Sequence, residues 1–351
     1  MKQGKAKILI VKIGAIGDAV MSLSMINEID KKYAGSEITW LCGNIISPLI
    51  RSIPRINKVV SLNEKKLLTG TKFEQATVIF KVWIKFFLNK FDLVINTQRD
   101  KRYDLLVLTT IKKEYRSFTG KDRKNQLIQG RYHAAEYARL IHYIDDWELP
   151  EPVLPKLNLP YDKNTDELIA KSKKKKIILT PGGAQNIING GIQRKWPAEY
   201  YKTLAKSLME KFDDCSIILA GSKDDEYVIS GFRNLPVINL IGKTTLVDLV
   251  NLYNKCDLLI THDTGLLHIA KLSDINTIAL FGPVNPVERV GKNEKIDSIW
   301  IGNDLPCSPC YNGKSFADCK NNICMKNISV ETVFNKAVQI LNYGFNISKN
   351  K

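Results

Sequence analysis

Short runs of consecutive apolar residues alternate with stretches in which apolar side chains recur every three to four positions, and the alternation repeats along most of the chain. Runs at 7–11, 37–41, 58–62 and 92–96 have the length of buried strands. After the first of them, Val20, Leu23, Met25, Ile26, Ile29 and Tyr33 fall on one side of a helix. Strand, glycine turn and amphipathic helix in that order predict a Rossmann-like parallel α/β unit over the N-terminal part of the chain. The segment 147–160 carries four prolines and predicts a linker. A second series of strand-like runs follows at 176–180, 216–219, 237–240, 257–260 and 277–281. From Ser329 onward, Val330, Val333, Phe334, Ala337, Val338 and Leu341 share one face of a closing helix.

Two doubly wound halves in tandem, with parallel sheets facing each other across a cleft, are the α/β architecture called GT-B. The expected domains are residues 1–155, residues 156–328 with a cysteine-rich loop at 306–325, and a C-terminal helix and tail at 329–351. In a chain of this kind the last helix is expected to cross back over the junction. Residues 73–88 allow two readings. Phe73, Ile79, Phe80, Val82, Trp83, Phe86 and Phe87 are interleaved with Lys72, Lys81, Lys85 and Lys90, which predicts a core helix with solvated lysines or a helix lying on an anionic membrane surface. The core reading is the expectation.

Composition narrows the class. The chain has 351 residues, 44% of them hydrophobic and 25% charged, which suits a soluble globular protein with two cores. No apolar run reaches the roughly 18 to 20 residues that span a bilayer, and the polar start lacks the apolar stretch of a signal peptide, so a cytoplasmic location is expected. The net charge of +16 is concentrated early, with 26 Lys and Arg against 15 Asp and Glu over residues 1–150. The N-terminal half is therefore expected to face an anionic partner or to be simply well solvated: anionic lipid or a phosphorylated glycan fits, whereas no helix-turn-helix, RRM or zinc-finger pattern is present.

The stretch Leu258-Leu259-Ile260-Thr261-His262-Asp263-Thr264-Gly265 ends a buried strand and opens a helix, whose first N–H groups favour an anion. Asp263 does not bind phosphate itself. A sugar hydroxyl, a ribose hydroxyl and an N-cap hydrogen bond are its candidate partners. Near the start, Gly14-x-x-Gly17-Asp18 is too short for the GxGxxG fingerprint, which disfavours a nicotinamide enzyme. Gly14 and Gly17 admit close approach of a ligand, and Asp18 either projects from the helix start as a functional carboxylate or caps that helix.

Two further turns follow strands of the second series. Thr180-Pro181-Gly182-Gly183-Ala184 is succeeded, after an Asn- and Gly-rich loop at 185–193, by Arg194-Lys195-Trp196-Pro197, the glycine-plus-cation combination that a pyrophosphate requires. Gly221-Ser222-Lys223-Asp224-Asp225-Glu226 places an acid where it can take a ribose diol or support a helix start. Ser222 and Thr244 are counted among the residues of this donor side.

Taken in order, Gly14-x-x-Gly17-Asp18, the segment 92–98 followed by basic residues, Pro181-Gly182-Gly183, Lys195-Trp196-Pro197, Gly221-Ser222, Asp263-Thr264-Gly265-x-x-His268 and Phe281-Gly282-Pro283-x-x-Pro286 resemble glycosyltransferase family 9, the lipopolysaccharide heptosyltransferases. The resemblance runs over essentially the whole chain. It implies an inverting, metal-independent transferase that uses a nucleotide-activated heptose, usually ADP-heptose. In it Asp18 matches the general base, Thr264 and Gly265 the diphosphate-binding helix start, Asp263 the group that contacts the donor sugar and Asp225 the ribose-binding acid. Gly182, Gly183 and His268 belong to the same donor side. The family usually has Lys two places before the Trp-Pro pair; here that place holds Arg194, with Lys195 one position later, so either cation is the expected diphosphate partner.

The acceptor implied is an anionic glycolipid, lipid A–Kdo or inner-core heptose, received by Gly14, Gly17, Gln98, Arg99 and Arg102 at the inner-membrane surface. Alternatives keep the fold and change the sugar or the acceptor, to an O-antigen or a protein, or make the chain a non-catalytic sugar-nucleotide-binding protein. No cofactor is expected for catalysis. Cys307-x2-Cys310-x8-Cys319-x4-Cys324 has two close pairs that suit a structural zinc or iron, with free thiols or a disulfide as the alternatives.

Overall fold

The computed structural model describes residues 5–144, 152–157, 159, 163–183, 191–292, 295–313 and 315–343. The chain divides into two compact units, Met1–Pro155 and Lys156–Lys351. The proline-rich segment falls at this division and lies partly outside the described residues. Leu157, in the described part, donates its N–H to the carbonyl of Leu272 at 2.8 Å and so is tied to the second unit.

The first unit is built on β1 (Lys7–Val11), β2 (Glu37–Gly43), β3 (Lys58–Leu62), β4 (Lys90–Asn96) and β5 (Ile111–Ser117), which form one parallel sheet in the order β3-β2-β1-β4-β5. Ile8, Leu9, Ile10 and Val11 are fully buried, as a central parallel strand covered on both faces requires. β5 is an addition to the strands predicted from sequence. Its sequence, IKKEYRS, lies at the sheet edge with Ile111, Lys113 and Glu114 exposed, and there lysines blunt further pairing and erase the apolar signal. Helices Ile16–Ser22 and Ser24–Lys32 pack on helix His133–His142. Ser24 Oγ donates to the Ala134 carbonyl at 2.7 Å and Glu28 Oε2 meets His142 Nε2 at 2.8 Å, which ties both ends of helix His133–His142 to helix Ser24–Lys32.

The second unit carries β6 (Lys175–Leu179), β7 (Cys215–Leu219), β8 (Ile238–Asn239), β9 (Leu258–His262), β10 (Asn276–Phe281) and β11 (Ile296–Trp300). All neighbours are parallel, in the order β11-β10-β9-β6-β7-β8. β11 escaped the sequence pattern because Asp297 and Ser298 interrupt it at an edge. Helix Ala198–Lys211 places Tyr201, Leu204, Ala205 and Leu208 in the core, where they share one cluster with Val333, Ala337 and Ile340 of the closing helix Val330–Tyr343. That helix is thus held by the core of the second unit.

Helix Lys72–Phe86 corrects the core expectation. It starts with a capping box, Glu74 N–H donating to Thr71 Oγ1 at 3.3 Å and Thr71 N–H to Glu74 Oε2 at 3.0 Å. It buries only Val78, Val82 and Phe86. Phe73, Phe80 and Phe87 are instead 82%, 58% and 64% exposed. Among the described residues no helix is long and apolar enough to cross a membrane.

Candidate functional site

In the first unit, β1 ends at Val11 and the chain passes through Lys12, Ile13 and Gly14 into helix Ile16–Ser22, with Asp18 in its first turn. The carboxylate of Asp18 is partly exposed, and the helix is capped by Ala15 with no side-chain cap hydrogen bond. Lys12 Nζ lies 3.5 Å from its Oδ2 and His133 Nδ1 3.8 Å from its Oδ1, both from buried side chains. Burial pushes the Lys12 ammonium below the usual lysine range; Asp18 opposes that shift and Arg99 adds to it. The same ammonium sits 5.3 Å from the centre of the Tyr137 ring.

Arg99, an exposed residue just after β4, stands within the electrostatic reach of this group. Gln98 is buried, and its Nε2 has no hydrogen-bond partner among the described residues. Arg102 is directed elsewhere, donating to Asp100 Oδ2 at 2.6 and 2.8 Å on the surface. Sequence reasoning missed Lys12 and His133. A lysine at the end of a buried strand was a usable signal for the first; His133 reaches Asp18 only through the packing of helices more than a hundred residues apart, which no local pattern reveals.

In the second unit, the turns after β6 and β7 are joined by Asp225. Gly183 N–H donates to its Oδ1 at 2.6 Å, and Ser222 gives both its N–H and its hydroxyl to Oδ2 at 2.8 Å. Gly182 permits this closeness, since a Cβ there would come within 2.5 Å of the Asp225 side chain; Gly183 has φ +83°, a conformation that favours glycine. Of the two expectations for Asp225, a ribose diol or a helix start, the contacts are those of the second: the side chain is buried and its oxygens hold the two turns together. The loop at 185–193 lies mostly outside the described residues.

The turn after β9 holds the densest charge cluster. Asp263 is buried, with Arg194 Nη1 3.4 Å from its Oδ2 and His268 Nε2 3.8 Å from its Oδ1. Burial alone would raise the Asp263 carboxyl; Arg194, then His268 and Arg289, overcome that and hold it well below the usual carboxylate range. His268 is pushed down to about 4, by burial first, and is a neutral imidazole at neutral pH. Its Nδ1 has no hydrogen-bond partner among the described residues. Behind it His262, bonded through Nδ1 to Tyr201 at 3.0 Å, is pushed down to about 3 by burial and by Arg194.

The two adjacent cations part company. Arg194 lies on Asp263 and 5.6 Å from the centre of the Phe316 ring, whereas Lys195 Nζ bonds the Tyr227 hydroxyl at 2.7 Å. Thr264 caps helix Gly265–Ala270 by accepting from Leu266 N–H at 3.2 Å, so one of the free N–H groups expected at this helix start is already used. The helix has only six residues, and its dipole adds little to the local cations. Thr244 keeps a buried hydroxyl with no partner among the described residues.

The cysteine loop lies against the same unit. Cys307 is exposed, Cys310 and Cys319 are half-buried, Cys324 is buried, and none of the four is joined in a disulfide. Burial, then the neighbouring Cys310, Cys319 and Cys307, raises the Cys324 thiol to about 11. The four sulfurs thus lie within one another's field, although among the described residues no group of three His, Cys, Asp or Glu side chains is placed to hold a metal ion.

Residues 79–320 match glycosyltransferase family 9 (heptosyltransferase). The chain belongs to that family. Among similar proteins, lipooligosaccharide heptosyltransferase 2 of Campylobacter jejuni subsp. jejuni serotype O:6 is 27% identical over 328 residues, spanning 91% of this chain and 94% of that one. The structure of the Escherichia coli ADP-heptose lps heptosyltransferase II superposes with a TM-score of 0.70 at 18% identity, covering 96% of this chain and 98% of that one. The iron-containing dodecameric glycosyltransferase TibC of enterotoxigenic E. coli H10407 has a TM-score of 0.59 at 13% identity, covering 96% and 77%. This family 9 chain is therefore a glycosyltransferase with the two parallel-sheet α/β units of the GT-B class.

Proposed function

We propose that this family 9 enzyme transfers heptose from ADP-heptose to a lipopolysaccharide core acceptor, lipid A–Kdo or an inner-core heptose, with inversion at the anomeric carbon. The observation that carries the reading is the partly exposed carboxylate of Asp18, set between Lys12 and His133 in the first turn after a glycine-containing loop. The similarity to heptosyltransferases along more than nine-tenths of the chain supports the choice of sugar.

In this scheme the acceptor hydroxyl gives its proton to Asp18 while its oxygen attacks the anomeric carbon. The bond from that carbon to the diphosphate oxygen breaks, and the electron pair leaves on the nucleoside diphosphate. One displacement inverts the centre, so no enzyme nucleophile is needed. The second unit holds the donor: Arg194 and Lys195 neutralise the charge that grows on the leaving diphosphate, together with the backbone around Gly183 and Gly265. Asp263, fixed by Arg194, and the neutral His268 supply polar atoms for the sugar. On this reading side chains, without a divalent metal, supply the charge for catalysis. Arg99 and the basic N-terminal half receive the anionic acceptor, which places the enzyme at the cytoplasmic face of the inner membrane.

A structural zinc or iron on Cys307, Cys310, Cys319 and Cys324 is part of the same proposal, supported by the spacing of the two cysteine pairs and by the iron of the TibC neighbour. Metal analysis of anaerobically purified protein tests this, and a folded, metal-free protein contradicts it. The transfer reaction itself is tested by product analysis with ADP-heptose against UDP- and GDP-sugars on deacylated core acceptors. Transfer only from another sugar nucleotide would replace the donor, and binding of ADP-heptose without transfer would replace the activity.

A further inference from the structure

Helix Lys72–Phe86 has two apolar stripes. With about 100° of rotation per residue, Val78, Val82 and Phe86 form the buried stripe, and Phe73, Ala76, Phe80 and Ile84 form a second one roughly opposite. The second stripe is out in solvent, with Phe73 at 82%, Phe80 at 58% and Ile84 at 62% exposure, and Phe87 and Leu88 continue it beyond the helix end. The neighbouring 3₁₀ helix Lys101–Val107 is clamped alongside by Trp83 Nε1, which donates to the Leu105 carbonyl at 2.6 Å. Between them Phe73, Phe80, Trp83 and Leu105 line a shallow, almost wholly apolar groove of about 470 Å³.

An apolar face of this extent on a monomer marks an interaction surface. Its rim shows what fits. Lys72, Lys81 and Lys85 are exposed along the helix and Lys90 follows it, while the helix's one acid, Glu74, is taken by Lys66 at 3.2 Å. Pairing with a second copy of the chain would set this basic rim against itself, which like-charge repulsion opposes. Exposed aromatic and aliphatic side chains flanked by lysines are complementary to an anionic lipid surface, with the rings at the acyl boundary and the ammonium groups among the phosphates.

We propose that the face formed by Phe73, Phe80, Ile84, Phe87 and Leu105, ringed by Lys72, Lys81 and Lys85, docks this enzyme on an anionic bilayer. The proposal deepens the reading of the acceptor as a membrane glycolipid by naming the surface that meets the membrane. Vesicle binding without donor or acceptor tests it apart from the reaction, so the two readings fail separately.

The full chain is sedimented with vesicles of phosphatidylcholine mixed with phosphatidylglycerol, and with phosphatidylcholine alone. The expected result is binding to the anionic vesicles that weakens with salt, and about tenfold weaker partitioning for Phe80→Glu with Ile84→Glu. Transfer to a deacylated, water-soluble acceptor by that double variant stays at the wild-type rate, which also shows that it folds. Lys81→Glu with Lys85→Glu loses the preference for anionic vesicles. The proposal is overturned if wild-type protein stays in solution, if the Glu variants bind as well as wild type, or if light scattering shows a dimer that Phe80→Glu dissociates while neither protein binds vesicles.

Discussion

Lys12 Nζ stands 3.5 Å from Asp18 Oδ2, the lysine buried at the end of β1 and the carboxylate partly open to solvent. A buried cation at that distance fixes which way the carboxylate points, and a base that is misdirected by about 1 Å loses much of its rate. Lys12→Met is therefore expected to lower kcat about 10- to 100-fold with donor KM unchanged. Steady-state kinetics with each substrate varied checks this. An unaltered kcat would make Lys12 only a packing residue.

The different partners of Arg194 and Lys195 separate their variants. Arg194→Ala leaves Asp263 buried without its guanidinium, so the protein is expected to lose roughly 3 kcal/mol of stability in addition to donor affinity. Lys195→Ala breaks only a bond to the exposed Tyr227, and donor affinity is expected to fall with stability nearly intact. Urea unfolding and donor titration of both variants read the two quantities. Equal destabilisation by the two substitutions would contradict this division.

His262 and His268 give the second unit an acid limit. Their native values, pushed down to about 3 and about 4, lie below the value near 6.5 of an unfolded histidine. The unfolded chain therefore binds protons first as pH falls. This contribution is full above about pH 6.5 and is lost on acidification at up to roughly 1.4 kcal/mol per pH unit per histidine until the native values are reached. Melting temperature is expected to fall between about pH 6.5 and pH 4, and His262→Gln, which removes one of the groups, is expected to flatten that fall. A wild-type melting temperature constant over the window would contradict the burial of neutral imidazoles.

Most of the sheet framework was legible because central parallel strands are continuous apolar runs, as in the run Ile8 to Val11. The edge strands β5 and β11 were not, since an edge strand has one solvated side and carries residues such as Lys112, Lys113 and Asp297. At the candidate site, turn and charge patterns pointed to Asp18, Arg194 and Asp263, and the structure brings the last two together. For Asp225 a ribose diol and a helix start were both open, and Ser222-x-x-Asp225 is itself the capping pattern that the structure shows. The exposed stripe of helix Lys72–Phe86 was hidden because periodicity marks apolar faces without saying which face the core takes.

Asp18 as the base carries most of the proposed mechanism. The direct measurement is heptosyl transfer from ADP-heptose to a deacylated core acceptor by wild type and Asp18→Asn, with donor affinity measured on both proteins. The expected result is transfer by wild type, a loss of about 10²- to 10⁴-fold in kcat for the variant, and unchanged donor affinity. Turnover by Asp18→Asn at the wild-type rate would contradict the account.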